Sequence, residues 1–327
     1  MGVLVTGGAG YIGSVAAACL AAAKEQVVVL DNLSTGHRRA VPDGAEFIKG
    51  NISEAALLEA VFATHEIDTV MHFAAFSLVA ESCAEPLKYF ENNVVGAHAL
   101  LKAMIRAGVR RFILSSTAAV YGRPDAVPIT EDMPTRPLNP YGLSKRMIEE
   151  ILEWHDRAYD LRYVSLRYFN AAGAMGDCGE THRPETHLIP NVLMAIAGMK
   201  DRVTVYGTDY DTPDGTCVRD YIHVEDLADA HLKAMAYLRD GGPSDIFNLG
   251  NAVGHSVREV IEAAQRVTGC DVPLEYGPRR QGDADKLVAS SEKAQSVLDW
   301  KPKKTDIDVI VRDAWAWRQT HPGGYSD

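Results

Sequence analysis

The chain has 327 residues, 46% hydrophobic and 24% charged, the composition of a soluble globular protein with room for one large or two ordinary domains. A formal net charge of -11 argues against a nucleic-acid role, though not against a local basic pocket for a phosphorylated ligand. Five cysteines, odd in number and never in a C-x-x-C pair, argue against a disulfide framework or a zinc site, and no metal is expected; they read as reduced thiols of a cytoplasmic protein.

Met1 leads almost directly into the apolar run "VLVTGG" without a charged segment, so no secretory signal is expected. "GVLVT" reads as a strand, "SVAAACLAAAKE" as an Ala-rich helix and "QVVVLD" as a second strand. "EFIKG" is a third strand, and "SEAALLEAVFATH" a helix with Ser53 as its expected N-cap. "DTVMHFAA" and "RRFILSS" are two further strands, separated by the helical pattern of Val94, Ala97, Leu101, Met104 and Ile105. Strand-helix alternation with nearly all-apolar strands predicts an α/β fold: a Rossmann-type, doubly wound parallel sheet with helices on both faces. The run "VAAACLAAA" is too short to span a membrane.

After about Asn170 the character changes. "AAGAMGDCGETHRPETH" reads as a loop, followed by a helix ("IPNVLMAIAGMK"), a strand ("VTVYG"), a turn-rich stretch, a helix ("HVEDLADAHLKAMAYLRD") and a strand ("DIFNLGN"). The expected division is residues 1–170 for the first domain and 171–327 for a smaller α/β substrate-binding domain, with the strand near 246–250 rejoining the first sheet.

"TGGAGYIGS" places Gly7, Gly10 and Gly13 between a strand and a helix. Glycine is needed there for a tight turn, for close approach of backbone to a pyrophosphate, and for helix-strand packing. The helix N-terminus offers free N–H groups to the phosphates. Asp31 ends the second strand eighteen residues later (31 − 13), where a carboxylate binds ribose hydroxyls and repels a 2′-phosphate. NAD is therefore expected rather than NADP, with Arg38 and Arg39 read as solvated surface residues.

"NPYGLSK" holds Tyr141 and Lys145 four apart, on one face of a helix. A phenol has a pKa near ~10, and a neighbouring ammonium lowers it, so Tyr141 is a candidate general base. Taken alone, the pattern is also that of a surface Tyr/Lys pair. The hydroxyls at Ser115 to Thr117 and the glycine loop favour the catalytic reading.

These motifs, with "HFAA", "ENNVVG", "SSTAAVYG", "LRYFNAAGA", "DGTCVRDYIHVEDLADAH", "FNLGN" and "RRQGDADKLVASSEKA", resemble the extended short-chain dehydrogenase/reductase family over nearly the whole chain. Within it, the set is similar to members that invert C4 of nucleotide sugars. The resemblance implies interconversion of UDP-glucose and UDP-galactose by transient oxidation at C4, rotation of the 4-keto sugar, and hydride return from tightly bound NAD. It implies Tyr141 as base, Lys145 on the nicotinamide ribose, and Thr117 bonded to the C4 oxygen. For NAD it implies Gly7, Gly10, Tyr11, Ile12, Gly13, Asp31, Asn32, Asn51, Ile52, Phe73, Ala74, Ala75, Ser77, Asn92, Ser115, Tyr141, Lys145 and Tyr168.

For the UDP-sugar, the resemblance implies Thr117, Tyr141, Asn170, Leu188, Thr204, Val205, Tyr206, Arg219, Arg280, Asp283 and Leu287. Asn170, Arg219 and Arg280 would meet the diphosphate, Asp283 the uridine ribose, and Thr204 to Tyr206 the uracil. Arginine suits pyrophosphate because its fork donates two parallel bonds. Arg219 beside Asp220 also reads as a structural ion pair, and Arg280 as a surface charge. A homodimer is implied, through the helix after Glu91 and the helix of Tyr141, with Val95, Leu100, Ile148 and Leu152 facing the partner or simply covering the sheet.

Three positions depart from the family pattern. Ser77 stands where a lysine would approach the cofactor, Asn51 replaces an aspartate near the adenine, and Leu287 bounds the sugar pocket where a tyrosine or a smaller residue occurs. The eleven histidines show no metal-ligand spacing; His72 and His223 read as structural. Rival readings are a 4-epimerase of another UDP-sugar, a nucleotide-sugar 4,6-dehydratase, and a non-catalytic NAD sensor. A dehydratase needs an acid/base pair after the hydroxyl residue, and Ala118 and Ala119 stand there instead.

Overall fold

The computed structural model describes residues 1–280 and 283–325. The first part alternates strand and helix: β1 (Gly2–Thr6), α1 (Tyr11–Ala22), β2 (Gln26–Asp31), β3 (Glu46–Lys49), α2 (Ala55–Thr64) and β4 (Ile67–His72). Then come α3 (Val79–Ala84), α4 (Pro86–Tyr89), α5 (Gly96–Ala107), β5 (Arg111–Thr117), α6 (Pro140–Tyr159) and β6 (Arg162–Tyr168). A π-helical turn, Phe90–Val95, joins α4 to α5. α2 starts one residue later than expected. Ser53 does not cap it, because the Asn51 side chain takes the Ser53 amide and hydroxyl, and Glu54 occupies the N-cap position.

The second part holds β7 (Asn170–Ala172), α7 (Leu188–Ile196), β8 (Val203–Tyr206), β9 (Val218–His223), α8 (Val224–Arg239) and β10 (Asp245–Leu249). It continues with β11 (Gly254–Ser256), α9 (Val257–Thr268), β12 (Leu274–Gly277), β13 (Lys286–Leu287), α10 (Glu292–Val297) and α11 (Ile307–Thr320).

Seven parallel strands form the main sheet in the order β10-β6-β5-β4-β1-β2-β3. β1 is buried along its length, and its side chains alternate between two cores as the strand period requires. Val3 and Val5 join Leu20, Leu227 and Ala234 from α1 and α8; Leu4 joins Leu100, Met104, Ile148 and Leu152 from α5 and α6. Each of these valine, leucine, isoleucine and methionine side chains, fully buried, contributes about 1.5–3 kcal/mol. Leu100, Ile148 and Leu152 therefore cover the sheet and are not available to a partner, while Val95 is exposed.

The chain returns to this layer after residue 170. α8 packs on α1, and β10 runs parallel to β6 from Asp245 beside Val164 to Leu249 beside Tyr168. Beyond the carboxyl edge of the sheet lies a smaller assembly. β9 carries β7, β11 and β13, β8 pairs with β12, and α7, α9 and α11 share an apolar core.

Candidate active site

Because all seven strands are parallel, their carboxyl ends lie on one edge, where ligands bind in open α/β sheets. The glycine loop follows β1 there. Gly7 has φ +74°, and a Cβ on it would lie 2.5 Å from the Ala74 amide nitrogen. A Cβ on Gly13 would collide with the Gly7 carbonyl oxygen. Gly10 is the N-cap of α1 and offers no capping side chain, so the first-turn amides remain available to an anion. This cradle fits a dinucleotide pyrophosphate.

Asp31 ends β2 and accepts from the amides of Ala9 (3.0 Å) and Leu33 (2.8 Å). Burial raises its pKa, and those two bonds oppose the rise. The carboxylate thus braces the glycine loop from the end of β2. Asn32 accepts from Ser34, and Ile52 is buried after β3. Phe73 donates its amide to the Thr6 carbonyl and packs at a tilt against the His231 ring (centroids 4.7 Å apart), and Ala74 closes over Gly7. Tyr11 donates to the Gly173 carbonyl, and Ile12 packs against the core. Ala75 is half-buried and Ser77 is exposed. Arg38 lies over the Phe47 ring, and Arg39 is exposed.

Asn92 hydrogen-bonds Asn93, which sequence reasoning passed over. Asn93 is fully buried. It pairs with both main-chain groups of Phe76 and reaches the Ser144 hydroxyl, so the π-turn ties the β4 loop to the helix of Tyr141. π-turns recur at functional sites.

At the end of β5 the reactive groups meet. Lys145, 2% exposed, donates to the Ser115 carbonyl at 2.8 Å. Burial pushes its pKa down to about 8, with Glu149 opposing. Burial raises the Tyr141 phenol, and the neighbour that lowers it is the Thr117 hydroxyl rather than the ammonium. The ammonium expected to lower the phenol is turned to the Ser115 carbonyl here. The Ser115 hydroxyl bonds Tyr168. Thr117 Oγ1 accepts from Ala119 and caps the short turn Ala118–Val120. A Cβ on Gly142 would lie 2.5 Å from the Ala119 carbonyl oxygen, so the two alanines form the seat of α6 beside Tyr141.

Across the cleft, β13 pairs with β9 so that Leu287 lies beside Arg219. Leu287 also packs on Val120, Tyr121 and Ile129, which carries it to the Thr117 turn. Arg219 donates to the carbonyls of Val218 and Ala284 and lies 3.5 Å from Asp283. Its partner is thus Asp283, not the adjacent Asp220. Asp220 is instead buried against the amides of Asn251, Ala252 and Ala289. The Arg280 guanidinium stacks 4.1 Å above the Tyr206 ring. Thr204 and Val205 lie in β8, Asn170 opens β7, and Leu188 opens α7.

The family model for the NAD dependent epimerase/dehydratase family matches residues 3–250. The chain belongs to that family. It is 54% identical over 328 aligned residues to a UDP-glucose 4-epimerase of Halalkalibacterium halodurans, covering 100% of this chain and 98% of the relative. A crystal structure of a UDP-glucose 4-epimerase superposes with TM-score 0.98 at 49% identity, covering all of both chains. Another, from Bifidobacterium longum in complex with NAD+ and UDP, gives TM-score 0.93 at 38% identity, covering 99% of this chain and all of that one.

The epimerase/dehydratase scaffold rests here on a buried polar network that sequence reasoning missed. Glu149 accepts from Ser116 (2.7 Å) and from two nitrogens of Arg167 (3.0 and 2.7 Å). Arg167 also donates to Tyr121, which donates to Asn248. One cluster thus locks α6, β5, β6 and β10 behind the Tyr141 site. Two signals pointed to it: Glu149 lies one turn after Lys145, and Arg167 interrupts an apolar strand.

His72 is buried, with Nδ1 2.8 Å from Thr6, and burial holds its pKa near 3. His223 accepts the Glu225 amide and caps α8. One group of possible ligands lies outside the histidine spacings read from the sequence. Among the described residues, Glu180, His182, Glu185 and His187 bring their ligand atoms within 4.8 Å of one another. A loop rather than a helix carries them, so no helical spacing announced them.

Proposed function

We propose that this chain interconverts UDP-glucose and UDP-galactose, with NAD held at the glycine loop. The observation that carries the reading is the Tyr141 phenol beside the Thr117 hydroxyl, at the carboxyl end of β5 and over the seat made by Ala118 and Ala119. Tyr141, as its phenolate, takes the proton of the sugar C4 hydroxyl and becomes the neutral phenol, while Thr117 holds the C4 oxygen. Bound NAD accepts the C4 hydride and gives it back to the other face of the ketone. Lys145 holds the ribose near the nicotinamide. Positions 118 and 119 carry no carboxylate, so nothing in that stretch drives elimination of the C6 hydroxyl.

Gly7, Gly10 and Gly13 receive the pyrophosphate of NAD, Asp31 and Asn32 the adenosine ribose, and Asn51 and Ile52 the adenine. Phe73 to Ala75, Ser77, Asn92, Ser115 and Tyr168 complete that wall. Arg219 and Arg280 take the diphosphate of the UDP-sugar with Asn170, Asp283 the uridine ribose, and Thr204 to Tyr206 the uracil. Leu188 and Leu287 bound the sugar. We place the boundary between a cofactor half and a substrate half near residue 170, with β10 counted in the first.

The protein acts as a cytoplasmic homodimer in this reading. Val95, Leu143, Met147 and Trp154, exposed on the π-turn and α6, form the apolar strip that packs against the second copy. No helix among the described residues is long and apolar enough to cross a membrane.

The test supplies purified protein with UDP-galactose and no added NAD, then separates the products. UDP-glucose without accumulated ketone is expected. A 4-keto-6-deoxy sugar, or no turnover even after NAD is added, overturns the proposal. Gel filtration at the mass of one 35.6 kDa chain would refute the dimer.

A further inference from the structure

We propose that Glu180, His182, Glu185 and His187 form a binding site for one divalent transition-metal cation of the zinc, cobalt or nickel kind. The four lie between β7 and α7, outside the set assigned to cofactor or sugar. His187 Nδ1 is 2.8 Å from Glu180 Oε1 and 3.0 Å from Glu185 Oε1; His182 Nδ1 is 3.4 Å from Glu180 Oε1 and 3.5 Å from Glu185 Oε2. Ligands about 2.1 Å from a tetrahedral metal stand ~3.4 Å from one another, close to these spacings.

Hydrogen bonding alone serves this cluster poorly. Each imidazole presents one Nδ1 to two carboxylates, and one N–H cannot align with both. Glu185 makes the point atom by atom. Its Oε1 is shared among the amides of Thr186 and His187 and the His187 ring Nδ1 (3.0 Å), while its Oε2 is buried without a hydrogen-bond partner and faces His182 at 3.5 Å. The Glu185 side chain is only 5% exposed. His182 Nδ1 is likewise buried without a well-formed hydrogen bond, its nearest acceptors being the two carboxylates at 3.4 and 3.5 Å. The nearby Arg318 guanidinium donates to the main-chain carbonyl of Glu180, which leaves that carboxylate to the cluster.

Two imidazoles with two carboxylates are the donors of a borderline divalent cation, harder than a thiolate site and softer than an all-oxygen calcium site. The His187 side chain is 46% exposed, which gives the ion an entry and a place for a water ligand. The role is structural. His182 meets the ring of Tyr11 edge-on, Tyr11 bonds Gly173, and Leu188 follows His187 as the first residue of α7. A cation here fastens the loop between the head of α1 and the start of α7, tying the cofactor side of the cleft to its sugar side.

The test uses untagged full-length protein, stripped with a chelator, dialysed and titrated with Co2+. One equivalent bound, with the intense visible bands of a four- or five-coordinate site, is expected, together with a rise in melting temperature. His187→Gln, at the exposed ligand, should fold normally, bind Co2+ more than about tenfold more weakly and lose the melting shift. Glu185→Gln should behave alike. Folded wild-type protein that binds no stoichiometric Co2+ or Zn2+ overturns the proposal and leaves an imidazolium-carboxylate ion cluster. Equal binding by wild type and His187→Gln also overturns it. Turnover of UDP-galactose is not the readout, so this result stands apart from the proposed activity.

Discussion

The ammonium of Lys145 lies 2.8 Å from the main-chain carbonyl oxygen of Ser115, so one hydrogen bond fastens the second turn of α6 to the carboxyl end of β5. Burial holds the lysine near pKa 8, below its ordinary 10.5. The folded state thus favours the neutral amine. The stability this preference contributes is present above pH 10.5 and is lost as pH falls through about 8. Wild type should therefore gain on the order of 3 kcal/mol over Lys145→Met across that interval. Paired unfolding curves at several pH values check it; a constant difference between the two proteins would count against it.

Tyr141→Phe should lower kcat by about 10²–10⁴, the usual contribution of a positioned general base. Thr117→Val should cost about tenfold to a hundredfold, as expected for one lost hydrogen bond to a charged group. Because Thr117 is the neighbour that lowers the Tyr141 phenol, its removal should also move the pH–activity profile to higher pH. A Thr117→Val enzyme with altered KM alone and an unmoved profile would contradict this role.

Glu149→Gln leaves the buried Arg167 guanidinium without its counter-ion and should destabilise the fold by about 3–5 kcal/mol. Urea unfolding at neutral pH measures this. Glu149 also raises the pKa of Lys145, so the variant's lysine should titrate lower still. A loss below about 1 kcal/mol would show that the pair is not the lock between α6 and β6.

Leu287 is half-buried beside Arg219 and against Tyr121. Leu287→Ala should cost at most about 2 kcal/mol, less than a fully buried leucine. It should also raise kcat/KM for UDP-N-acetylgalactosamine relative to UDP-galactose, because in the proposed reading Leu287 bounds the sugar. An unchanged ratio would place the size limit elsewhere.

Much of the first half was legible because its signals are local. The spacing of Gly7, Gly10 and Gly13 describes one turn, and the structure explains each glycine by a close approach within the loop or to Ala74. Tyr141 and Lys145 share a helix face by their spacing alone. Leu100, Ile148 and Leu152 were harder. Helical periodicity identifies an apolar face, but it does not say whether a sheet or a second chain covers it. In the structure the sheet does, and Leu143, Met147 and Trp154 are the residues turned outward.

By itself the sequence determined the order of strands and helices, the glycine loop, and the Tyr141 and Thr117 positions, since each depends on residues within a few places of one another. Tertiary structure alone decided which groups meet. Glu149 pairs with Arg167 because β6 runs beside β5 under α6, and Asn248 joins them because the chain returns as β10. Lys145 turned to Ser115 rather than to the phenol, a choice between two acceptors that helical spacing leaves equal. Glu180, His182, Glu185 and His187 converge only because their loop folds back on itself. Buried polar groups must find partners, and which partners are within reach is settled by packing between segments far apart in the chain.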